Sequence, residues 1–378
     1  MASYWHCLPT GQEDDPGHPR VRAAKLRRFA TDVLSAAGLA PADASAAAGG
    51  LVHADLRGVG GHGVFRLMQY TDSIEAREIN RRPVVRVVKK AGATSVVDAD
   101  GGYGYRPALI AVDLAVDLAR RNGVSCVGVR NSHHFGMAAA YALRAATAKA
   151  IGFVTTNSLP QITPPGGSEA VVGNNPYAVA VPRAGRRRPL VVDIALTEAR
   201  FGTAALAALA GTLLAPGLAL DARGRSTTDP RAALESGILV AIGTQKGYGL
   251  SVAAEVLAGA LTGSPVARDS HCHRMAAGGV GHFVLAIEPE FLISRKSFYA
   301  AVERLCSHVK MTPSSQPDGE VYLPGELGWR TYEKRMQEGI PLPQALFDEL
   351  GRLAKRLGVG PLTSQRLTPA QLGLSSSH

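Results

Sequence analysis

The chain is short of most features that mark a specialised class of protein. Aromatic residues make up only 6% of its 378 residues. That is too few to interleave with a basic stripe and stack bases, so the net charge of +10 points to a phosphorylated cofactor or an anionic substrate rather than nucleic acid. The positive charges are scattered, and the tight cluster Arg186, Arg187 and Arg188 reads as a solvated turn. Cysteine is scarce. Cys7, Cys126, Cys272 and Cys306 stand far apart with no Cys-x-x-Cys pair, which argues against a disulfide framework or a thiolate zinc site and fits free thiols in a reducing cytoplasm. The triplet His271-Cys272-His273 reads as a polar loop, because adjacent residues rarely converge on one ion and no third ligand is signalled. The most apolar stretch, 203–220, is interrupted by Gly211, Pro216 and Gly217 and suits a buried helix better than a bilayer span. Glu13, Asp14 and Asp15 occupy the place where a signal peptide would be apolar. The expectation is a cytoplasmic protein with neither a membrane nor a nucleic-acid partner.

What remains is an ordinary balance of 46% hydrophobic and 19% charged residues, in a chain long enough for two or three compact units. Residues 1–18, rich in Gly, Pro and acid, read as a disordered extension, and 361–378 as a flexible tail. Residues 19–80 read as a helical segment. Leu26, Phe29, Ala30, Val33, Leu34 and Ala37 recur at helical spacing, Gly38 closes that helix, and Asp43 caps the next. From Pro83 the pattern is that of strands, at 84–88 and 95–98 around a Gly92 turn. Helices at 107–121, 136–149 and 246–261 then alternate with strands at 124–129, 151–155 and 281–287, and 177–181 with 190–193 form a hairpin. Such alternation predicts an α/β domain over 81–326, a mixed sheet with helices on both faces that binds cofactor and substrate. Helices at 329–338 and 343–357, within 327–360, join the amino-terminal ones.

One stretch concentrates reactive side chains: His53-Ala54-Asp55-Leu56-Arg57-Gly58-Val59-Gly60-Gly61-His62-Gly63-Val64-Phe65-Arg66-Leu67. A helix starting near Gly61 puts His62 and Arg66 on one face, an imidazole that titrates near neutral pH beside a carboxylate-binding guanidinium. The pair suits a small 2-oxo or 2-hydroxy acid, although the same spacing is common on solvated helices. Gly102-Tyr103-Gly104, between a strand and a helix, fails as a dinucleotide fingerprint. Pro107 stands where the third glycine belongs, and Arg130-Asn131 stand where an acid would hold a ribose.

Further polar runs are richer than a core needs. Asn131-Ser132-His133-His134-Phe135-Gly136 joins a strand to a helix, where backbone N–H groups face a bound anion and His134 gives or takes a proton. The plain alternative for His134 is a helix cap. Thr155-Thr156-Asn157-Ser158, Pro164-Pro165-Gly166-Gly167-Ser168-Glu169 and Gly173-Asn174-Asn175-Pro176 are turn formers that line a cleft or simply make loops. Asp193 ends a strand, and Lys246-Gly247-Tyr248-Gly249 opens a helix with a cation.

Taken in order, these stretches resemble the type-2 malate/L-lactate dehydrogenase family, which includes L-sulfolactate dehydrogenase, ureidoglycolate dehydrogenase, diketogulonate reductase and piperideine-2-carboxylate reductase. The matching motifs are 54–59 with His62-Gly63, Ser132 with His134-Phe135-Gly136, Asn175-Pro176, Asp193 with Ala195, Thr227-Thr228-Asp229-Pro230, 246–250, Gly281-His282-Phe283 and Pro324-Gly325-Glu326. Coverage runs from about residue 20 to 360.

The resemblance implies a non-Rossmann, L-sulfolactate-dehydrogenase-like α/β fold and an oxidoreductase using NADP or NAD, in keeping with the failed glycine fingerprint. The basic surplus favours NADP. The implied substrate is a small carboxylate, a 2-oxo acid, 2-hydroxy acid or cyclic imino acid, and the implied assembly is a homodimer or larger. In the reductase branch the position matching His62 donates the proton, Arg66 matches the carboxylate-binding arginine, and Asp193 belongs to a relay. In the ureidoglycolate branch the position matching His134 accepts the proton. Arg57 and Asn175, within matched motifs, join Arg66 as substrate-binding candidates. Positions matching Asn157, Asp193, Ile194, Ala195, Lys246, Gly325 and Glu326 contact the cofactor.

The chain departs from the pattern where Gly60-Gly61 replace the Asp-Ser before the histidine, and again at Pro165, Asn174, Thr197, Thr203 and Gln245. A Ser-His-Asp relay cannot form without that serine. Two other readings therefore stay open: a catalytically altered descendant that binds ligand or acts as a scaffold, and a redox-neutral enzyme on the same fold.

Overall fold

The computed structural model describes residues 17–199, 204, 207–208, 211–270, 279–315 and 319–364. The extension up to residue 16, Thr203, the His271-Cys272-His273 triplet and the tail from 365 lie outside the described residues. In chain order, β1 (Arg20–Val21), α1 (Ala23–Ala36), α2 (Pro41–Leu56), a 3-10 turn at Gly60–His62 and α3 (Arg66–Glu75) come first. Next are β2 (Arg86–Ala91), β3 (Thr94–Asp98), α4 (Tyr105–Asn122), β4 (Val124–Ser132), α5 (Ala138–Thr147) and β5 (Ile151–Thr156). The short pair β6 (Pro160–Ile162) and β7 (Val172–Gly173) precedes β8 (Tyr177–Val181) and β9 (Leu190–Ile194). A small sheet of β10 (Ala219–Leu220), β11 (Ser226–Thr227) and β12 (Ile238–Leu239) encloses α6 (Pro230–Ser236). Then come α7 (Gln245–Ala254), β13 (Val280–Ile287), α8 (Arg295–Lys310), α9 (Glu326–Glu338), β14 (Ile340–Pro341) and α10 (Gln344–Leu357).

By its contacts the chain divides into two units, one reaching to Ala76 and resuming at Glu326, the other Arg77–Gly325. In the smaller unit α1 buries Leu26, Phe29, Ala30, Val33 and Leu34, the face its periodicity predicts. Gly38, at φ +106°, closes it with a Leu39 N to Leu34 O bond of 3.0 Å, a left-handed cap. Helix α2 does not begin at Asp43. Pro41 takes the first helical position, where its missing N–H costs nothing, and Asp43 is buried inside the first turn. The ends of this unit are tied by antiparallel pairing of β1 with β14.

The larger unit is built on a seven-stranded sheet in the order β2-β3-β4-β13-β5-β8-β9. Only β3 and β4 pair in parallel, with α4 as their crossover. Alternation along β4 shows helices on both faces. The Ser125 hydroxyl donates to Ala115 O of α4 at 2.6 Å, while Gly128, of opposite parity, faces Thr262. Each remaining neighbour pair is antiparallel. Consequently the carboxyl ends of β3, β4, β5 and β9 lie at one end of the sheet, where ligands of open α/β sheets bind. The expected helix over 246–261 is α-helical only to Ala254. A π-helical turn at Glu255–Gly259 and a 3-10 turn at Ala260–Thr262 follow it. The matched Thr227–Pro230 motif is a helix cap, since the Asp229 carboxylate accepts from Arg231 N at 2.9 Å. Among the described residues, no helix is long and apolar enough to cross a membrane.

Candidate active site

At the shared end of the sheet, β4 gives way to a loop carrying His133, His134 and Phe135. Helix α5 begins only at Ala138, with Met137 as its N-cap, so His134 is not a helix cap. Gly136 sets the bend at φ +81°, where a Cβ would strike the Tyr105 ring. The loop is fixed by its backbone, with Gly104 N donating to His134 O at 3.1 Å and His133 N to Gly102 O at 3.2 Å. The His134 side chain stays half-buried. Phe135 stacks on His282 of β13, with ring centroids 4.4 Å apart and planes 8° apart, and on Tyr141, whose hydroxyl donates to Phe135 O.

His282 is fully buried. Its Nε2 lies 2.8 Å from the Ser132 hydroxyl and its Nδ1 2.7 Å from that of Thr156. Thr156 also donates to Gly281 O at 2.8 Å, which spends its proton. On that assignment Nδ1–H donates to Thr156, and Nε2 accepts from Ser132. A Cβ on Gly104 would come within 2.5 Å of His282 Nε2. The glycine of the failed fingerprint therefore serves close packing on an imidazole and not a pyrophosphate.

Desolvation, aided by the neighbouring His133, lowers the pKa of His282 to about 3. In the smaller unit, burial and then Arg57 lower that of His53 to about 4. Both groups bind a proton more readily in the unfolded chain, where a histidine titrates near 6.5, so their neutral burial is fully compatible with folding above that pH. Below it stability falls as pH falls, by up to about 1.4 kcal/mol per pH unit for each histidine, until the folded values are passed. Urea unfolding at pH 7 and pH 5 checks this: midpoints should drop steeply at pH 5, and less steeply in His282→Asn.

The second cluster follows β5. Asn157 Nδ2 donates to Glu255 Oε2 at 3.2 Å, Pro265 O at 2.9 Å and Ser270 Oγ at 3.2 Å, and its Oδ1 accepts from Gly281 N at 2.8 Å. Asn175 Nδ2 donates to Ser251 O at 3.0 Å and Glu255 Oε1 at 3.0 Å, while its Oδ1 accepts from Ser158 N at 2.8 Å. Both amides, expected to contact cofactor (Asn157) and substrate (Asn175), are buried and hydrogen-bonded through nitrogen and oxygen alike.

The third cluster surrounds β9, the edge strand. Asp193 and Ile194 are exposed and Ala195 is half-buried. Beyond them the chain runs beside 240–243, through Ile242 N to Leu196 O at 3.0 Å, Glu198 N to Val240 O at 2.8 Å and a Thr197–Ala241 bridge. That pairing leads through Gly243 and Thr244, both at positive φ, into α7, and places Lys246 exposed in its first turn. Gly325, at φ +82°, packs on the same strand, where a Cβ would sit 2.3 Å from Val191 Cγ1. Gly325 thus packs at the start of β9, and the segment that leads to Lys246 pairs just beyond its other end, with Asp193, Ile194 and Ala195 between. The Thr197 hydroxyl there is buried and has no hydrogen-bond partner among the described residues. An unsatisfied buried hydroxyl on the segment paired with the approach to a helix that carries a lysine in its first turn is chemistry that fits a phosphorylated dinucleotide.

In the smaller unit, His62 and Arg66 do not share a helical face. His62 ends the 3-10 turn, Gly63 is extended, and α3 starts at Arg66. The cause is Asp55, whose buried carboxylate accepts from Val64 N at 2.8 Å and would lie 1.6 Å from a Cβ on Gly63. Arg66 holds the turn from the other side, with Nε donating to Gly61 O at 2.8 Å and a terminal nitrogen to Gln69 Oε1 at 2.7 Å. Arg57 is buried with its guanidinium 4.3 Å over the Trp329 ring, a cation–π contact that occupies its flat face. Glu326 accepts from Arg330 at 2.9 Å in the first turn of α9.

Three residues that organise these clusters went without a role in the sequence reading: Glu255, His282 and Asp55. Glu255 was legible as a lone carboxylate inside an apolar helix, and His282 as the only polar side chain of a strand otherwise apolar or glycine.

Known proteins of similar sequence and shape extend these observations. The sequence profile of the malate/L-lactate dehydrogenase family matches residues 21–351. The chain is 33% identical to the malate dehydrogenase of Pyrococcus abyssi, over 91% of this chain and 97% of that one. The solved sulfolactate dehydrogenase of Methanocaldococcus jannaschii superposes with a TM-score of 0.82 at 31% identity, covering 90% of this chain and 98% of that one. The delta1-piperideine-2-carboxylate reductase of Pseudomonas syringae pvar. tomato does so with a TM-score of 0.81 at 28% identity, covering 89% and 99%. A match that takes in nearly the whole length in both sequence and three dimensions leaves one placement: the chain belongs to the malate/L-lactate dehydrogenase family.

Proposed function

We propose that this protein is an NAD(P)-dependent oxidoreductase that interconverts a small 2-oxo acid or cyclic imino acid with its reduced form, and that it acts as a homodimer using NADP in preference to NAD. The observation that carries the reading is the β9 edge, where Asp193, Ile194 and Ala195 lie between Gly325 and the pairing that leads to Lys246, with the unsatisfied Thr197 hydroxyl within that pairing. When bound there, the nicotinamide supplies or accepts the hydride at the substrate's C2.

The protein's own share is placement and proton handling. Lys246 holds a phosphate at the positive end of the α7 dipole. Asp193, exposed on the edge strand, orients the cofactor. Arg66 offsets the charge of the substrate carboxylate. His134, half-buried on a backbone-locked loop, gives a proton to the substrate's C2 oxygen or imine nitrogen in reduction and takes it back in oxidation. His62 is the second proton-handling group.

The preference for NADP rests on Lys246 and the basic surplus of the chain, which offer partners to a 2′-phosphate. Titrating the protein into NADPH and into NADH, with nicotinamide fluorescence as the readout, should give the smaller dissociation constant for NADPH. Equal or reversed constants would refute the preference, and binding of neither would refute the function.

A further inference from the structure

We propose that Glu255 is the positioning residue of the cofactor site, fixing α7 and with it Lys246, without touching ligand itself. This rests on the functional reading above for the identity of the ligand, but not for the mechanics. Glu255 is almost fully buried, and its four partners among the described residues are uncharged amides. One oxygen accepts from Asn175 Nδ2 at 3.0 Å and Gly173 N at 3.4 Å, the other from Asn157 Nδ2 at 3.2 Å and Ala267 N at 3.1 Å. One turn earlier, Ser251 donates to Gly173 O at 2.6 Å and its own carbonyl accepts from Asn175.

The helix is therefore bolted at two successive turns of its inner face to the 173–175 turn and to the end of β5. Lys246 stands about two and a half turns upstream on the same rigid element, so a small tilt at Glu255 becomes a displacement at the ammonium. The π-helical turn that begins at Glu255 breaks the α-helical register beyond it and seats Gly259 where a Cβ would meet Val266 at 2.6 Å and Asn157 Nδ2 at 3.2 Å. A buried carboxylate without a cation is a poor way to gain stability, because apolar packing does as well at lower desolvation cost. What it provides is a fixed geometry, since a single acceptor pair draws in donors from three separate segments.

The test uses Glu255→Gln, which puts an NH2 group against two of the four donors and removes the charge, and Glu255→Asp, which keeps the charge and serves if the glutamine variant fails to fold. Hydrogen exchange in the protein without cofactor should quicken at 173–175 and 245–251, and at Ala267 and Gly281, whose N–H groups Glu255 holds directly or through Asn157, and stay unchanged away from these segments. The NADPH dissociation constant should rise about tenfold, as expected for loss of charge-assisted buried bonds, with partial rescue in Glu255→Asp. Lys246→Ala should cost less in the Glu255→Gln background than in the wild type. Exchange that is unchanged at 245–251 or raised uniformly, or strictly additive effects of the two substitutions, would overturn the proposal. Should the wild type bind no nicotinamide, the functional reading fails, while the exchange pattern still decides whether Glu255 positions α7.

Discussion

Replacing His134 with alanine is expected to lower kcat by about a hundredfold to ten-thousandfold, the loss typical of a general acid or base, and at least as far as His62→Ala does. The two histidines differ in how they are held. The His134 loop is anchored by the Gly104 and His133 backbone bonds, the Phe135–His282 stack and the Tyr141 hydroxyl. His62 ends a single 3-10 turn behind Gly60-Gly61, and a Cβ on Gly61 would meet nothing within 4 Å. An imidazole on a loop held by fixed bonds and stacked rings is the better proton donor. Because Met137 and not His134 caps α5, His134→Asn has no cap to restore and should lose turnover without a matching fall in melting temperature. Turnover, pH profile and melting temperature of His62→Asn and His134→Asn separate the roles. If His62→Asn abolishes activity while His134→Asn stays near wild type, the ranking is reversed.

Arg66→Ala should raise KM for a carboxylate substrate about thirtyfold to several hundredfold while leaving the cofactor dissociation constant nearly unchanged. Part of any loss has a second source. The same guanidinium donates to Gly61 O and so steadies the turn that carries His62. Arg66→Lys distinguishes the two contributions, because lysine keeps the charge but loses the planar fork that reaches a carboxylate and the turn together. A KM restored by lysine assigns the effect to charge. A kcat that falls in both variants assigns it to the turn, and an unchanged KM in Arg66→Ala would place the residue outside the site.

Much of the fold was legible because burial periodicity is local. The faces of α1 and α4, the hairpin of β8 and β9 and the Gly92 turn follow from residues within a few positions of one another. The α8 helix was missed although Phe298, Val302, Cys306 and Val309 recur at helical spacing, because it buries only a narrow stripe, Val302 and Cys306. The start of α3 was misplaced for a non-local reason: a carboxylate on α2 claims the Val64 N–H and leaves no room for a side chain at position 63. Motif order brought out Asn157 and Asn175 as functional positions. It could not show that both donate to one buried carboxylate, 98 and 80 residues away in sequence. Polar residues in turns announce that a site exists, whereas which of them face a ligand depends on partners that only the fold supplies.

The most direct measurement of the central claim follows nicotinamide absorbance while the protein is offered NADPH with a panel of 2-oxo acids and cyclic imino acids. The expected result is saturable NADPH oxidation with at least one member, falling by about a hundredfold or more in His134→Ala. Tight NADPH binding with no oxidation by any member of the panel would contradict an oxidoreductase and leave a ligand-binding protein in its place.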